Sequence, residues 1–153
     1  MVTEAGMEPQ RITKLVVADM ELQRVTTKGK DGAPNGWIVP ILRDYDELFR
    51  GYTVRFVYMS AVAPHTSKGP HVHHKRQCML VPVVGRVTVT RRVGGAYETC
   101  ELDADFPSVC HIPTHVAFKV ANETDSNAVL LNLADHAWRQ DDQDAPPVEG
   151  WEE

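Results

Sequence analysis

The chain has 153 residues, the size of one compact domain, with 42% apolar residues, 24% charged residues and a formal net charge of −5. The acidic balance and the lack of a basic cluster argue against a nucleic-acid partner, because phosphate binding needs clustered positive charge. No segment approaches the roughly 18 apolar residues of a membrane span, and the polar N-terminus lacks a signal-peptide pattern, so we expect no membrane partner.

Cysteine usage indicates the compartment. The three cysteines, Cys78, Cys100 and Cys110, have irregular spacings that fit neither a disulfide framework nor a paired-cysteine zinc motif. An odd number of cysteines is more typical of a reducing compartment than of a secreted protein. We therefore expect a cytoplasmic protein.

In chain order, the composition predicts a flexible leader over residues 1–10, a barrel over residues 11–138 and an acidic tail over residues 139–153. The tail contains too few apolar residues to pack tightly by itself. We expect it to be loosely ordered, or docked on a partner subunit through Trp151.

The predicted barrel consists of short β-branched runs separated by glycine, proline, asparagine and aspartate. These runs are Leu15–Val17, Trp37–Leu42, Tyr52–Ala63, Met79–Val84, Val87–Val93, Tyr97–Leu102, Val109–Pro113, Ala117–Asn122 and Ala128–Leu133. Many short strands at this density are typical of a sandwich or closed barrel, and Gly94-Gly95 predicts a hairpin turn. Helical periodicity is confined to Asp44–Arg50. The expected fold is therefore all-β, in a single domain.

The histidines His71 and His73 are the most informative residues. They are two positions apart, so an extended strand directs both to the same face, whereas His74 points away. The continuously apolar run Met79–Val84 follows and indicates that this region lies against the core. Two inward imidazoles are costly in an apolar barrel unless a ligand, a metal or an acid–base role accounts for them.

The spacing around these histidines resembles the first motif of the cupin superfamily, with Cys78 at the position of its glutamate and Gly85 at that of its glycine. Its second motif is similar to Pro113, His115, Phe118 and Asn122. In that motif His115 replaces a glycine, and Phe118 replaces the third metal-ligand histidine. The resemblance implies a jelly-roll barrel, and the missing donor favours chemistry without a metal or other cofactor. If a metal is present, His71 and His73 are its expected ligands.

Among cupins without a metal, the chain is most similar to the dTDP-4-dehydrorhamnose 3,5-epimerase-like (RmlC-like) proteins and the dTDP-sugar 3,4-ketoisomerases. Lys68-Gly69-Pro70-His71 occupies their arginine–glycine–x–histidine segment, and Ala128–Trp138 resembles their last strand and exit loop. The resemblance implies an isomerase or epimerase of a nucleotide-linked 4-keto sugar in carbohydrate biosynthesis, with His71 and His73 as acid–base pair. Leu131 replaces the epimerase tyrosine and Cys78 its lysine, so we do not expect a conventional 3,5-epimerase.

Candidate substrate-binding residues surround the histidine pair. Lys68 and Arg55 would hold the diphosphate through charge-assisted contacts, and Tyr58 would supply a phenol. Further candidates on the strands and at the barrel mouth are Gln77, His115, Asn132 and His136.

Two other functional classes remain open at this point. One is a metal-dependent cupin similar to the thiol dioxygenases, which also have cysteine at the Cys78 position but keep the histidine that is Phe118 here. The other is a non-catalytic cupin that binds a small molecule. In each case we expect a homodimer, because cupin barrels of this size commonly pair through an edge strand, here near Trp37–Leu42 or through the tail.

Overall fold

Twelve β-strands and a single turn of 3-10 helix, Glu47–Phe49, make up the regular structure of the computed structural model, which describes residues 13–137, 139 and 146–152. The strands are β1 Thr13–Leu15, β2 Met20–Glu21, β3 Val25–Lys28, β4 Pro34–Ile38, β5 Phe56–Val62, β6 Thr66–His71, β7 Cys78–Val84, β8 Arg86–Val93, β9 Ala96–Asp103, β10 Ser108–Ile112, β11 Phe118–Asn122 and β12 Ala128–Ala134.

Two five-stranded sheets face each other. Their strand orders are β1-β9-β8-β11-β6 and β2-β10-β7-β12-β5, and β3 pairs with β4 in a separate hairpin. Within the sheets, the pairs are antiparallel except for β1 with β9. This arrangement confirms the predicted all-β, jelly-roll cupin fold. The helical periodicity predicted for Asp44–Arg50 is realised only as the short 3-10 turn.

Strand alternation builds the core between the sheets. Residues two apart on one strand point to the same face, and the inward positions are apolar. Val89, Leu102, Ile112 and Leu130 are among the buried residues of this interior cluster, in which all three cysteines also lie. Each cysteine is a free thiol.

A second apolar cluster covers the outer face of the sheet that contains β7 and β12. Phe49 of the 3-10 turn packs there against Met79, Val81 and Leu133. The chain segment from Val39 to Val54 therefore shields one sheet from water, and apolar runs on β7 and β12 are buried on both faces.

Three glycines have backbone positions that other residues would not tolerate well. Gly94 and Gly95 both have positive φ, 57° and 87°, and connect β8 to β9 in the predicted hairpin. At Gly69, with φ 104°, an added Cβ would lie 2.8 Å from the carbonyl oxygen of Phe118. Only glycine allows β6 to pass so close to β11 just before His71.

The described part of the acidic tail contacts its own barrel. The Trp151 ring packs edge-on against Tyr97 with 4.9 Å between centroids, and the Glu152 backbone N–H donates to the Tyr97 hydroxyl at 2.7 Å. The predicted leader, residues 1–10, lies outside the described residues, as do residues 140–145 and 153 of the tail. Docking of the tail on a partner subunit stays a prediction. Among the described residues, no helix has the length and apolar character needed to cross a membrane.

Candidate active site

One end of the barrel interior is polar. Strand pairing places Glu98, Arg91, Phe118 and His71 side by side across β9, β8, β11 and β6. Arg91 donates to Glu98 at 3.3 Å, to Asp19 at 3.0 Å and to the His111 carbonyl at 2.7 Å. The loop that connects β6 to β7 crosses between the sheets at this end and carries His73 and Arg76.

His71 and His73, the inner histidine pair, both lie close to one aromatic ring. Their ring centroids are 6.0 Å and 5.8 Å from that of Phe118. β6 ends at His71, so His73 is already in the loop and not in the extended strand that the alternation argument assumed. The two imidazoles nevertheless converge, because the loop turns inward over Phe118. His73 is buried and His71 stays accessible to solvent.

Arg76 is a site residue that the sequence reasoning missed. It is buried, and its Nη2 lies 3.4 Å from Nε2 of His73. Because a guanidinium only donates, this contact assigns the acceptor role to Nε2 and places the proton of the neutral ring on Nδ1. The one sequence signal was an arginine two positions before a continuously apolar strand.

The electrostatics keep one imidazole neutral and two acids protonated. Burial lowers the pKa of His71, and the positive charges of Lys68 and Arg76 lower it further. Burial also raises the pKa of Tyr58 to about 12 and that of Cys78 to about 12. At neutral pH the site therefore presents a basic imidazole, an un-ionised phenol and an un-ionised thiol.

Asn132 faces the interior, as its prediction as a site residue requires. Its Nδ2 donates to Ser60 Oγ at 3.1 Å, and the Cys78 thiol donates to its Oδ1 at 3.7 Å. The neighbouring Leu131 points the opposite way and packs in the outer cluster. The position aligned with the epimerase tyrosine thus does not face the site.

Gln77 lies in a hydrogen-bonded network on the other side of β7 from Cys78. Its side-chain amide donates to Asp135 at 3.0 Å and pairs with Nε2 of His111 at 2.8 Å. The Tyr52 hydroxyl donates to the Gln77 carbonyl at 3.0 Å. The nitrogen and the oxygen of the Gln77 side-chain amide therefore each have a hydrogen-bond partner within the protein. The contact of Gln77 with substrate stays a prediction.

His74 and His115, the outer histidine pair, lie at the surface beside the site. Their Nδ1 atoms are 2.6 Å apart, and the His115 backbone N–H donates to the His73 carbonyl at 2.7 Å. His115 has a positive φ of 70°, which this turn imposes. The exposed position agrees with the outward direction predicted for His74.

The remaining predicted residues lie on three separate elements. Lys68 is exposed on β6, close enough for its charge to act on His71. Arg55 is exposed immediately before β5, and its backbone N–H donates to the Ala134 carbonyl at 2.8 Å. His136 is partly buried in the loop that follows β12. Contact of these three with substrate stays a prediction.

The donor set does not favour a bound metal. Within the described residues, no three histidine, cysteine, aspartate or glutamate side chains are grouped closely enough to hold an ion. The Phe118 ring lies beside both imidazoles, where the cupin motif has its third ligand. Three-ligand catalytic sites need a donor at that point, and a phenyl ring supplies none.

A separate groove of about 1020 Å³ lies away from the histidines, between the N-terminal segment Leu15–Leu22 and the turn near Phe106. None of the predicted site residues lines it. The convergence of titratable groups, and not this groove, therefore identifies the candidate active site.

A family model described as "FdtA: WxcM-like, C-terminal" matches residues 43–145. No curated protein matches the chain. The match confirms the resemblance to short cupins of the sugar-isomerase type that the histidine motif predicted.

Solved structures with the same fold include a dTDP sugar isomerase from Desulfovibrio desulfuricans G20, with 21% identity, a TM-score of 0.69 and coverage of 84% of this chain and 81% of that one. The sugar 3,4-ketoisomerase QdtA from Thermoanaerobacterium thermosaccharolyticum, in complex with TDP, has 20% identity, a TM-score of 0.64 and coverage of 85% and 86%. The capsular polysaccharide assembling protein CapF from Staphylococcus aureus has 22% identity and a TM-score of 0.55 over 61% of this chain. The chain spans only 28% of that CapF chain. At these identities the likeness establishes the fold.

Proposed function

This chain belongs to the FdtA, WxcM-like C-terminal family, and on that premise we propose that it is a metal-independent isomerase of a nucleotide-linked 4-keto sugar. His71 and His73 act as its acid–base pair. The observation that carries the proposal is their convergence on Phe118 at the polar end of the barrel.

Chemistry of this kind needs a base that is neutral near pH 7. A proton next to a ketone is weakly acidic, and imidazole is the side chain whose ordinary pKa best suits its removal. Burial, Lys68 and Arg76 lower the pKa of His71, which keeps its ring in the basic form. Lys68 would attract the diphosphate of a nucleotide sugar, and Arg76 would attract the negative charge that develops on the sugar.

In the proposed reaction, a histidine removes the proton from the hydroxyl-bearing carbon next to the ketone. The C–H electron pair forms a carbon–carbon double bond, and the ketone oxygen takes up the negative charge of an enediolate. The protonated histidine then delivers the proton to the former ketone carbon, while the hydroxyl proton moves to the former ketone oxygen. No electrons are gained or lost, so the reaction requires no redox cofactor.

Transfer of the ketone between adjacent carbons fits the site better than epimerisation. Epimerisation needs an acid on the opposite face of the sugar, and Leu131, at the position of the epimerase tyrosine, lies in the outer cluster. A ketone transfer needs only one catalytic face. We therefore propose 3,4-ketoisomerisation.

For the substrate, we propose a thymidine diphosphate sugar. QdtA was solved with TDP, and a histidine-to-asparagine variant of it was solved with TDP-4-keto-6-deoxyglucose. In this chain Lys68 and Arg55, both exposed, would bind the diphosphate.

Incubation of the protein with TDP-4-keto-6-deoxyglucose in heavy water tests the proposal. We expect one deuterium to enter the sugar ring as the ketone moves, observed by NMR, with no exchange in His71→Ala or His73→Ala. Binding without exchange would support the binding-module alternative. Stoichiometric iron, nickel or manganese held through the inner pair would contradict metal independence.

We also propose a cytoplasmic homodimer. β5 is an edge strand that exposes Val57 and Met59. Val83 of β7, in the same sheet, is exposed as well. The β3–β4 hairpin also exposes Trp37 and Ile38. A two-stranded hairpin is marginally stable alone, so a partner surface would stabilise it. Light scattering should give twice the chain mass. Met59→Lys should shift the mass towards the monomer, whereas Glu123→Lys, at an exposed position in the loop after β11, should not.

A further inference from the structure

Arg76 is a charged residue in an unusual place. It lies in the loop between His73 and β7, yet it is only 8% exposed. Arginine is seldom buried, because desolvation of its charge costs free energy unless the surroundings compensate. The burial of the Arg76 charge therefore needs a compensating interaction or a function that explains it.

The Arg76 guanidinium reaches the groups that would carry out the chemistry. Nη2 lies 3.4 Å from Nε2 of His73. Burial raises the pKa of Tyr58 to about 12, and the positive charge of Arg76 opposes that rise. The charge also acts on His71 and on the Cys78 thiol. Arg76 thus lies between the inner pair and the polar residues of the interior.

We propose that Arg76 is a further catalytic residue of this site, whose guanidinium binds the ketone oxygen and stabilises the enediolate that the inner pair generates. The inference rests on the proposed isomerase function. It supplies the group that the acid–base pair by itself lacks, a fixed positive charge at the oxygen that becomes negative.

The geometry suits this role for two reasons. Arg76 only donates hydrogen bonds, so it stabilises the anion and cannot compete as a base. Its contact with His73 also holds the guanidinium beside the imidazole, so that the two groups can act on adjacent atoms of one substrate. A buried, preoriented donor of this kind typically contributes a factor of about 10²–10³ to kcat.

A purely structural role is the competing explanation. An arginine that only packed the loop would affect folding and thermal stability when replaced, and it would affect catalysis only through unfolding. Its replacement would not lower kcat selectively, and lysine at that position would not restore part of the activity. These differences make the two explanations separable.

The test compares Arg76→Met, Arg76→Gln and Arg76→Lys with Arg86→Met, which removes an exposed arginine at the Gly85 turn. With TDP-4-keto-6-deoxyglucose, Arg76→Met should lower kcat and the deuterium-exchange rate about 100-fold, with KM changed less than about threefold. Arg76→Lys should recover part of the loss, and Arg86→Met should behave as wild type. TDP binding should be unaffected in all four.

A second readout is independent of turnover. NMR titration should show a higher pKa for His71 in Arg76→Met than in wild type, because one of the two cations that lower it is gone. If Arg76→Met does not fold, Arg76→Gln carries the same measurements.

If the wild-type protein exchanges deuterium and the folded Arg76 variants have a near-normal kcat, the role of Arg76 is overturned and the isomerase proposal stands. The role is also overturned if Arg76→Met and Arg76→Lys lose activity equally with matching losses of thermal stability. If the wild-type protein binds the nucleotide sugar without exchange, the proposed function fails, and the role of Arg76 fails with it.

Discussion

The inner and outer histidine pairs lie beside each other in the structure but have different surroundings. The inner pair, His71 and His73, lies against the Phe118 ring with Arg76 beside it. The outer pair, His74 and His115, is exposed, and its Nδ1 atoms face each other at 2.6 Å. The imidazole is the same in both pairs. The comparison therefore teaches that the surroundings, and not the residue type, distinguish the proposed acid–base pair from the outer pair.

The outer pair has a simpler explanation. A hydrogen bond between two Nδ1 atoms needs one donor and one acceptor, so one ring donates its Nδ1–H and the other ring accepts it. Together with the bond from the His115 N–H to the His73 carbonyl, this contact connects the β6–β7 loop to the β10–β11 turn. The outer pair thus supports the inner pair from outside.

The largest expected effect comes from removing an inner histidine. His71→Asn and His73→Asn should each lower kcat by a factor of about 10²–10⁴, the range for loss of a general acid or base. Single-turnover measurements should show loss of the chemical step while TDP still binds. Circular dichroism would verify the fold, and a folded His71→Asn variant with wild-type kcat would contradict the assigned pair.

Phe118→His should make the inner pair resemble a metal site. The new imidazole would give three donors on one end of the barrel, enough to hold a zinc or nickel ion at about one equivalent. Phe118→Leu is the matched control, because it removes the ring without adding a donor. Metal analysis after dialysis measures the difference, and equal metal content in both variants would show that Phe118 does not fill the ligand position.

The pH dependence of the reaction should reflect the lowered pKa of His71 in the inner pair. The pKa of His71 is lowered from 6.5, first by burial and then by Lys68 and Arg76. Since the base must be neutral, kcat/KM should rise with pH and reach its plateau at a lower pH than it would with a histidine of ordinary pKa. Lys68→Met should raise the pKa of His71 and move the acidic limb to higher pH. An unchanged His71 titration by NMR in that variant would show that Lys68 does not act on it.

The smallest effects are expected for the outer pair. His74→Asn and His115→Asn should change kcat less than about threefold, as for surface positions away from the chemistry. Thermal unfolding should show a modest loss of stability, of about 0.5–1.5 kcal/mol for one hydrogen bond. A loss of activity as large as that of His71→Asn would mean that the outer pair takes part in the reaction.

Local sequence predicted much of the fold because strands, turns and glycines leave local signals. The runs from Met79 onward correspond closely to β7–β12, and Gly94-Gly95 forms the expected hairpin. The polar strands β2 and β3 were not predicted, because their residues do not alternate between apolar and polar. The strand signal near Trp37–Leu42 was only partly right, since β4 ends at Ile38.

The candidate site was predicted in part, for physical reasons that differ between residues. His71 and His73 share a motif spacing that is visible in one short segment. Arg76 carries no such signal, because the direction of its side chain depends on how the loop crosses between the sheets. Gln77 illustrates the same limit, since β7 turns it towards Asp135 and His111.

The sequence by itself therefore determined the all-β class, the hairpin turn and the pair of histidines, because each depends on neighbouring residues and on strand periodicity. Only the tertiary structure decided which groups surround that pair. Strand register places Phe118 next to His71 and turns Leu131 outward. The β6–β7 loop places the Arg76 guanidinium against the His73 ring, although both sequence neighbours of Arg76 are polar. The contact of Phe118 with His71 joins residues far apart in the chain, and pairing between strands sets it. The contact of Arg76 with His73 joins residues close in the chain, but the path of the loop between the sheets sets it.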